Sequence, residues 1–304
     1  MPCHTYGAST SDMAESVDTD RECRLTVAYA YNGTPFANTT VRLYKIADVS
    51  SNYNYTATPS FEGLGLVLNG LRTVGEWNVI RSTLEAYIIS HSLEADNSQV
   101  TNQNGEACFE SLQTGLYLAL LDQPIQDDTR FVFDSALISL PDIDEGGYLR
   151  YEVDAVAKGE ALPPIEPDEG SQLKVIKLWK GDEGRPDRPK SIEVDIFRDG
   201  TIYETVVLAE SNNWSYAWEI MDDGSNWTVY EKNIPSGYTM TLEKRGASFV
   251  LTNTRTENDP DAPKSPQTGD TSNIWLYIIL MTISGCLLIA LGITGKRRIY
   301  EKAK

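Results

Sequence analysis

Apolar and polar residues alternate along much of the chain in short runs, the period of a strand with one buried face. Runs of this kind at residues 25–31, 40–46 and 116–121 predict strands in the first half. Seven more follow in the second half, at 172–180, 191–198, 201–210, 213–220, 226–232, 237–243 and 247–254. The dipeptide Asp199-Gly200 separates two of them and predicts a tight hairpin turn. One stretch breaks the pattern. Within 76–95, Trp77, Ile80, Leu84, Tyr87 and Ile88 fall at spacings of three and four, which predicts an amphipathic helix. Such a stripe reads as a helical insertion packed on the strands rather than as an open groove.

Two breaks in composition divide the chain. Residues 159–171 are rich in Pro, Gly and acidic side chains, and residues 255–264 form a short polar stalk. They leave a domain at about 22–158 and another at 171–254. Short strands between turn residues predict a mainly β fold of two tandem β-sandwiches, immunoglobulin-like or prealbumin-like. The first carries the helical insertion, and a C-terminal transmembrane helix follows the second.

That helix is read from residues 274–293, an apolar run without a charged side chain. About 20 such residues cross a bilayer. Lys296, Arg297 and Arg298 come next and predict a cytoplasmic tail, which puts the bulk of the chain outside the cell. Just before the run stands Ser265-Pro266-Gln267-Thr268-Gly269-Asp270. The order of motif, apolar helix and basic tail (265–304) resembles the sortase sorting signal of Gram-positive surface proteins, with Ser265 where Leu is usual. The resemblance implies cleavage between Thr268 and Gly269 and covalent transfer to peptidoglycan or to another pilin subunit. The partners implied are a sortase, its amine acceptor and, transiently, the membrane. The location implied is the cell wall and cell surface.

The net charge of −18 fits a soluble ectodomain and disfavours nucleic acid as a partner. A secreted chain needs a signal peptide with a basic start and an apolar middle, and residues 1–21 have neither. They read as a signal-peptide remnant, with Ala8 near a small-residue cleavage site and a true start upstream. Cys3 would leave with that segment and Cys286 with the sorting tail. Cys23 and Cys108 remain, and they are either a disulfide or two free thiols. Cys23 alternates with Leu25 and Val27, whereas Cys108 alternates with Glu106 and Glu110.

Three polar residues interrupt apolar faces in the second domain. Lys177 shares a face with Val175 and Trp179, Glu231 with Trp227 and Val229, and Asn253 with Phe249 and Leu251. Burying such groups singly costs several kcal/mol, roughly 2–7 for an unpaired polar group. They therefore form either a hydrogen-bonded buried network or a reactive set. The segments VIKLW, RPKSIEVDIFRDG, NWSYAW, WTVYEKNIPSGY and FVLTNT stand in this order between 175 and 254. Together they resemble the B-type domain of collagen-adhesin proteins. In that family a first-strand Lys condenses with a last-strand Asn while a Glu assists. The resemblance implies an isopeptide cross-link between Lys177 and Asn253, with Glu231 as the autocatalytic residue. Desolvation favours the neutral amine, which is the nucleophile, and Glu231 would polarise the amide and carry protons. One self-processing event is not turnover, so the chain is not expected to be an enzyme.

The first domain is similar to pilin N-terminal domains through VRLYKIADV and NGEACFESLQTGLYLAL. Its first strand has no Lys, and Leu121 stands where the Glu would be, so no isopeptide bond is expected there. Lys158, in YEVDAVAKGE, is the candidate pilin lysine, without the usual Tyr-Pro before it. The function expected is a wall-anchored surface or pilus structural subunit, of the minor or basal kind. The alternative is a wall-anchored adhesin whose first domain binds a host or dietary glycan or protein, with Tyr53 and Tyr55 as candidate exposed aromatics. His4 and His91 are the only histidines, and no nucleophile–histidine set, metal-ligand spacing or cofactor loop is present.

Overall fold

In the computed structural model the described residues are 16–122, 125–126, 129–161, 171–182, 187–220 and 225–256. The principal strands of the first sandwich are β1 (Cys23–Tyr31), β2 (Thr40–Val49), β3 (Glu106–Leu112), β4 (Gly115–Leu121), β5 (Ala136–Leu140) and β6 (Glu152–Ala157). Helix α1 (Val74–His91) lies between β2 and β3 in the chain. One sheet places β1 between β6, which runs parallel to it, and β3, which runs antiparallel. The facing sheet places β4 between β5 and β2. Leu25, Val27 and Tyr29 from the first sheet meet Val41, Leu43, Tyr117 and Ala119 from the second in an apolar core.

β4 is buried along both faces, which explains its unbroken apolar sequence GLYLALL. Its outer face forms a second core with α1, through Leu116, Leu118 and Leu120 against Ile80, Leu84 and Ile88. The helix begins at a capping box. The Thr73 hydroxyl accepts from the Glu76 N–H at 3.2 Å, and the Glu76 carboxylate accepts from the Thr73 N–H at 2.9 Å. It ends at Ser92, whose left-handed backbone lets its N–H reach the carbonyls of Ile88 and Ile89. The first sandwich runs past residue 158, because Gly159–Ala161 pairs with Phe131–Phe133. The expected boundary at 159 is therefore too early by three residues, and 162–170 lie outside the described residues.

The second sandwich holds β7 (Ser171–Lys180), β8 (Ser191–Arg198), β9 (Thr201–Ala209), β10 (Ser215–Ile220), β11 (Trp227–Glu231), β12 (Tyr238–Arg245) and β13 (Ser248–Arg255). One sheet has the order β10-β7-β13-β12 and the other β9-β8-β11. β7 and β13, the first and last strands, run parallel. The β8–β9 turn uses Asp199 at φ 50° and Gly200 at φ 80°, the left-handed pair that a two-residue hairpin requires.

β12 is an edge strand, and α1 covers it. The Thr83 hydroxyl donates to the Val79 carbonyl at 2.7 Å and accepts from the Leu242 N–H at 2.8 Å. Ala86 joins the core of the second sandwich, and Tyr87 packs on Tyr230 with ring centres 5.9 Å apart. The helix thus buries one face on each sandwich, so the single stripe read from the sequence describes half of its packing. Among the described residues no helix is long and apolar enough to cross a membrane, and the expected span at 274–293 lies outside them.

Candidate functional site

Lys177 lies in β7, Asn253 near the end of β13, and Glu231 at the end of β11 on the opposing sheet. The register sets Lys177 beside Leu251 and Trp179 beside Asn253. Period-two alternation turns all three polar side chains into the core between Val175, Val229, Phe249 and Leu251. Lys177 is 3% exposed, and Glu231 and Asn253 are 0% exposed.

The three side chains meet. Lys177 Nζ donates to Glu231 Oε2 at 2.9 Å, and Asn253 Nδ2 donates to Glu231 Oε1 at 3.0 Å. One carboxylate therefore holds the amine and the amide, one oxygen to each. The Lys177 amine also sits 4.8 Å from the centre of the Trp179 ring. Burial pushes the Lys177 ammonium down to about 8, against the charges of Glu231 and Asp182, which favour the protonated form. A usable fraction of the amine is then neutral near physiological pH.

Among the described residues, two polar atoms at the site have no hydrogen-bond partner, Asn253 Oδ1 and Trp179 Nε1. An unpaired buried donor or acceptor costs roughly 1–3 kcal/mol. Hydrocarbon residues of the same volume often stabilise a core better than a buried ion pair does. What this set offers instead is chemistry, a nucleophilic amine, a proton carrier and an acyl group side by side.

A neighbouring polar group was not foreseen. Asp182, just after β7, is buried and accepts from Arg188 at 2.8 and 2.6 Å and from the Tyr238 hydroxyl at 2.9 Å. Burial raises its pKa, and the bonds from Arg188 and Tyr238 outweigh that and hold it below the usual carboxylate range. Trp179 packs edge-on against Trp214 and Tyr238, with ring centres 5.3 and 5.2 Å apart, and closes this end of the core. Lys180-Gly181-Asp182 reads as an ordinary turn in sequence, so nothing in the local pattern marks Asp182 as buried.

The remaining candidates fall elsewhere. Cys23 and Cys108 are both free, so the disulfide alternative is corrected. Cys23 stands opposite Leu112 with its side chain in the core, whereas Cys108 stands opposite Thr26 on the solvent face. Burial pushes the Cys23 thiol up to about 11. Lys158 is exposed just after β6. Tyr55 is not an exposed aromatic, because its hydroxyl donates to Ser139 at 2.8 Å and its ring meets Trp77. Tyr53 is half-buried in the preceding turn. The motif Ser265, Pro266, Gln267, Thr268 and Gly269 lies outside the described residues. Among the described residues no group of three or more His, Cys, Asp or Glu could hold a metal ion.

Comparison with known proteins bears on this sandwich most directly. Residues 173–254 match the Cna protein B-type domain. The second sandwich is similar to that family over nearly its whole length. The collagen adhesin of Staphylococcus aureus is 27% identical over 187 residues, covering 55% of this chain and 15% of the adhesin. The chain thus spans a small part of that relative. Among solved structures, a single B repeat unit of the S. aureus collagen-binding surface protein is 16% identical, with 78% of this chain and 98% of that one covered and a TM-score of 0.27. The T6 backbone pilin of Streptococcus pyogenes is 15% identical, with 79% and 64% covered and a TM-score of 0.32. Lys177, Glu231 and Asn253 all lie within the matched residues.

Proposed function

We propose that the chain is a surface or pilus structural subunit of a Gram-positive bacterium, anchored by a sortase after cleavage between Thr268 and Gly269. Its B-type sandwich is clamped by a self-formed isopeptide bond between Lys177 and Asn253, with Glu231 assisting. The observation that carries the clamp is the buried trio, one carboxylate bridging the Lys177 amine at 2.9 Å and the Asn253 amide at 3.0 Å. The match of residues 173–254 to the Cna B-type domain supports the same reading. The anchoring rests on the sequence order of motif, apolar run and basic tail.

Atoms balance simply. The neutral Lys177 amine attacks the Asn253 side-chain carbon. Glu231 takes the proton that the amine loses and delivers it to the amide nitrogen, which departs as ammonia. The fold holds the reactants in contact, which converts a bimolecular condensation into a unimolecular one. The bond is made once, so the chain is a structural protein rather than an enzyme. Exposed Lys158 supports a role as acceptor amine for the next subunit, and a polymer ladder that persists in Lys158→Ala cells would rule that role out.

The test of the clamp is the intact mass of residues 22–258 against a Glu231→Ala version. The parent is expected to be lighter than its formula by one ammonia and the variant to match its formula. A parent at full formula mass would reduce the trio to an ordinary buried network.

A further inference from the structure

We propose that Trp179 is the oxyanion donor of this condensation, its indole N–H bonding the Asn253 carbonyl oxygen as negative charge builds there. The inference rests on the cross-linking reading above. Attack on an amide carbon moves an electron pair onto the carbonyl oxygen, and in a dry core that charge needs a donor. Lys177 cannot serve, because its nitrogen is the attacking atom. Glu231 has one oxygen on the amine and the other on Asn253 Nδ2, the nitrogen that leaves. Asn253 Oδ1 is left buried with no partner.

The B-type sandwich also holds a buried donor with no partner beside it. Trp179 and Asn253 are register partners on the adjacent parallel strands β7 and β13. Residues so paired in a parallel ladder project toward the same face. The Trp179 ring already lies 4.8 Å from the attacking nitrogen, and its Nε1 is buried without a partner. The orphan acceptor thus belongs to the reacting amide, and the orphan donor to its register partner on the neighbouring strand. An oxyanion donor is aimed at where the charge will be, not at the ground-state carbonyl, so the bond forms as the carbon becomes tetrahedral. The sandwich has another unpartnered indole N–H, on Trp218, but that residue stands opposite Leu173, with β7 between it and β13. Position, rather than indole chemistry alone, therefore selects Trp179.

The step balances as before. The amine nitrogen bonds the Asn253 carbon, and the carbonyl π pair moves to Oδ1, where the indole N–H meets it. The pair returns as the bond to Nδ2 breaks. Glu231 moves the proton and ammonia leaves. Trp179 ends as it began, now donating to the carbonyl of the new secondary amide.

The test follows ammonia loss by intact mass in freshly translated full chain, comparing the parent with Trp179→Phe and Trp218→Phe. Each variant removes one orphan N–H and keeps an aromatic ring. Loss of one oxyanion donor slows a reaction by about 10²–10³-fold, so Trp179→Phe is expected to react at least about tenfold more slowly, and Trp218→Phe at the parent rate. A parent that loses ammonia alongside an equally fast Trp179→Phe overturns the oxyanion role and leaves the cross-link standing. Equal slowing in both variants also overturns it, as general loosening of the core. A parent that loses no ammonia sinks the cross-link itself, and this inference with it. If Trp179→Phe does not fold, the ¹⁵N-labelled indole of the parent decides. Its N–H signal is expected to move downfield and exchange more slowly than in Glu231→Ala, and identical signals in the two would overturn the proposal.

Discussion

The two sandwiches share a device and use it differently. Each sets its first and last principal strands side by side and parallel, β1 with β6 and β7 with β13. In the first, the facing inward rows are Leu25, Val27 and Tyr29 against Val153, Ala155 and Ala157, all apolar apart from the Tyr29 hydroxyl. In the second, the same geometry carries Lys177 and Asn253, with Glu231 across the core. Topology brings the ends of a domain together, and three side chains decide whether chemistry can join them. Where they are missing, the first sandwich relies on packing and on Arg24–Glu152, a surface ion pair of the kind that contributes little.

The largest test of this contrast removes the proposed clamp. Glu231→Ala strands the Lys177 charge in the core, which costs roughly 3–5 kcal/mol, and would forfeit the proposed cross-link, whose long span is worth roughly 4 kcal/mol on the chain-entropy scale used for disulfides. Thermal unfolding of the second sandwich is expected to drop sharply while the first is unmoved. Next is the reverse experiment. Val27→Lys puts a lysine into the buried row of β1, and among the described residues of that sandwich no carboxylate is buried. It is expected to destabilise the first sandwich by roughly 3 kcal/mol, with no additional ammonia lost. A new cross-link there would mean that topology alone suffices.

Smaller effects probe the seam. Thr83→Val strips the Leu242 N–H of its partner and is expected to cost roughly 1–3 kcal/mol. Faster amide exchange at Leu242 would show that edge opening. The pH dependence follows from Lys177. Its folded pKa is depressed to about 8 and the neutral amine reacts, so ammonia loss is expected to quicken as pH rises through 8 and then level off. Loss that is equally fast at pH 6 would contradict this. The smallest effect concerns the thiols. A reducing agent is expected to leave the melting temperature unchanged, and a thiol reagent to label exposed Cys108 but not buried Cys23 before unfolding.

Much of the second sandwich was legible because its strands alternate cleanly. The expected bounds fall within two residues of those observed, and parity alone directed Lys177, Glu231 and Asn253 inward. Asp182 escaped because its burial depends on Arg188, across a turn, and on Tyr238, which is distant in sequence. In the first sandwich, β6 and β3 carry few long apolar side chains, and only three strands were anticipated. The double role of α1 was hidden for a different reason. Thr83 and Ala86 carry no strong signal, yet they form the face that meets the other sandwich. The cysteines show why register matters. A shift between Cys23 and Leu25 accompanies pairing with β3, and the two sulfurs end on opposite faces of one sheet.

The parallel pairing of first and last strands also decides how tension would travel. A chain entering at one end of β7 and leaving at the far end of β13 is pulled along the ladder, not across it. Without a cross-link, the hydrogen bonds from the Lys174–Ser248 pair to the Lys180–Thr254 pair bear load in shear, all at once, rather than parting one after another like a zipper, and the proposed Lys177–Asn253 bond would take that load in their place. The β1–β6 ladder has the same sense. Both sandwiches are thus strung in the orientation that resists stretching best.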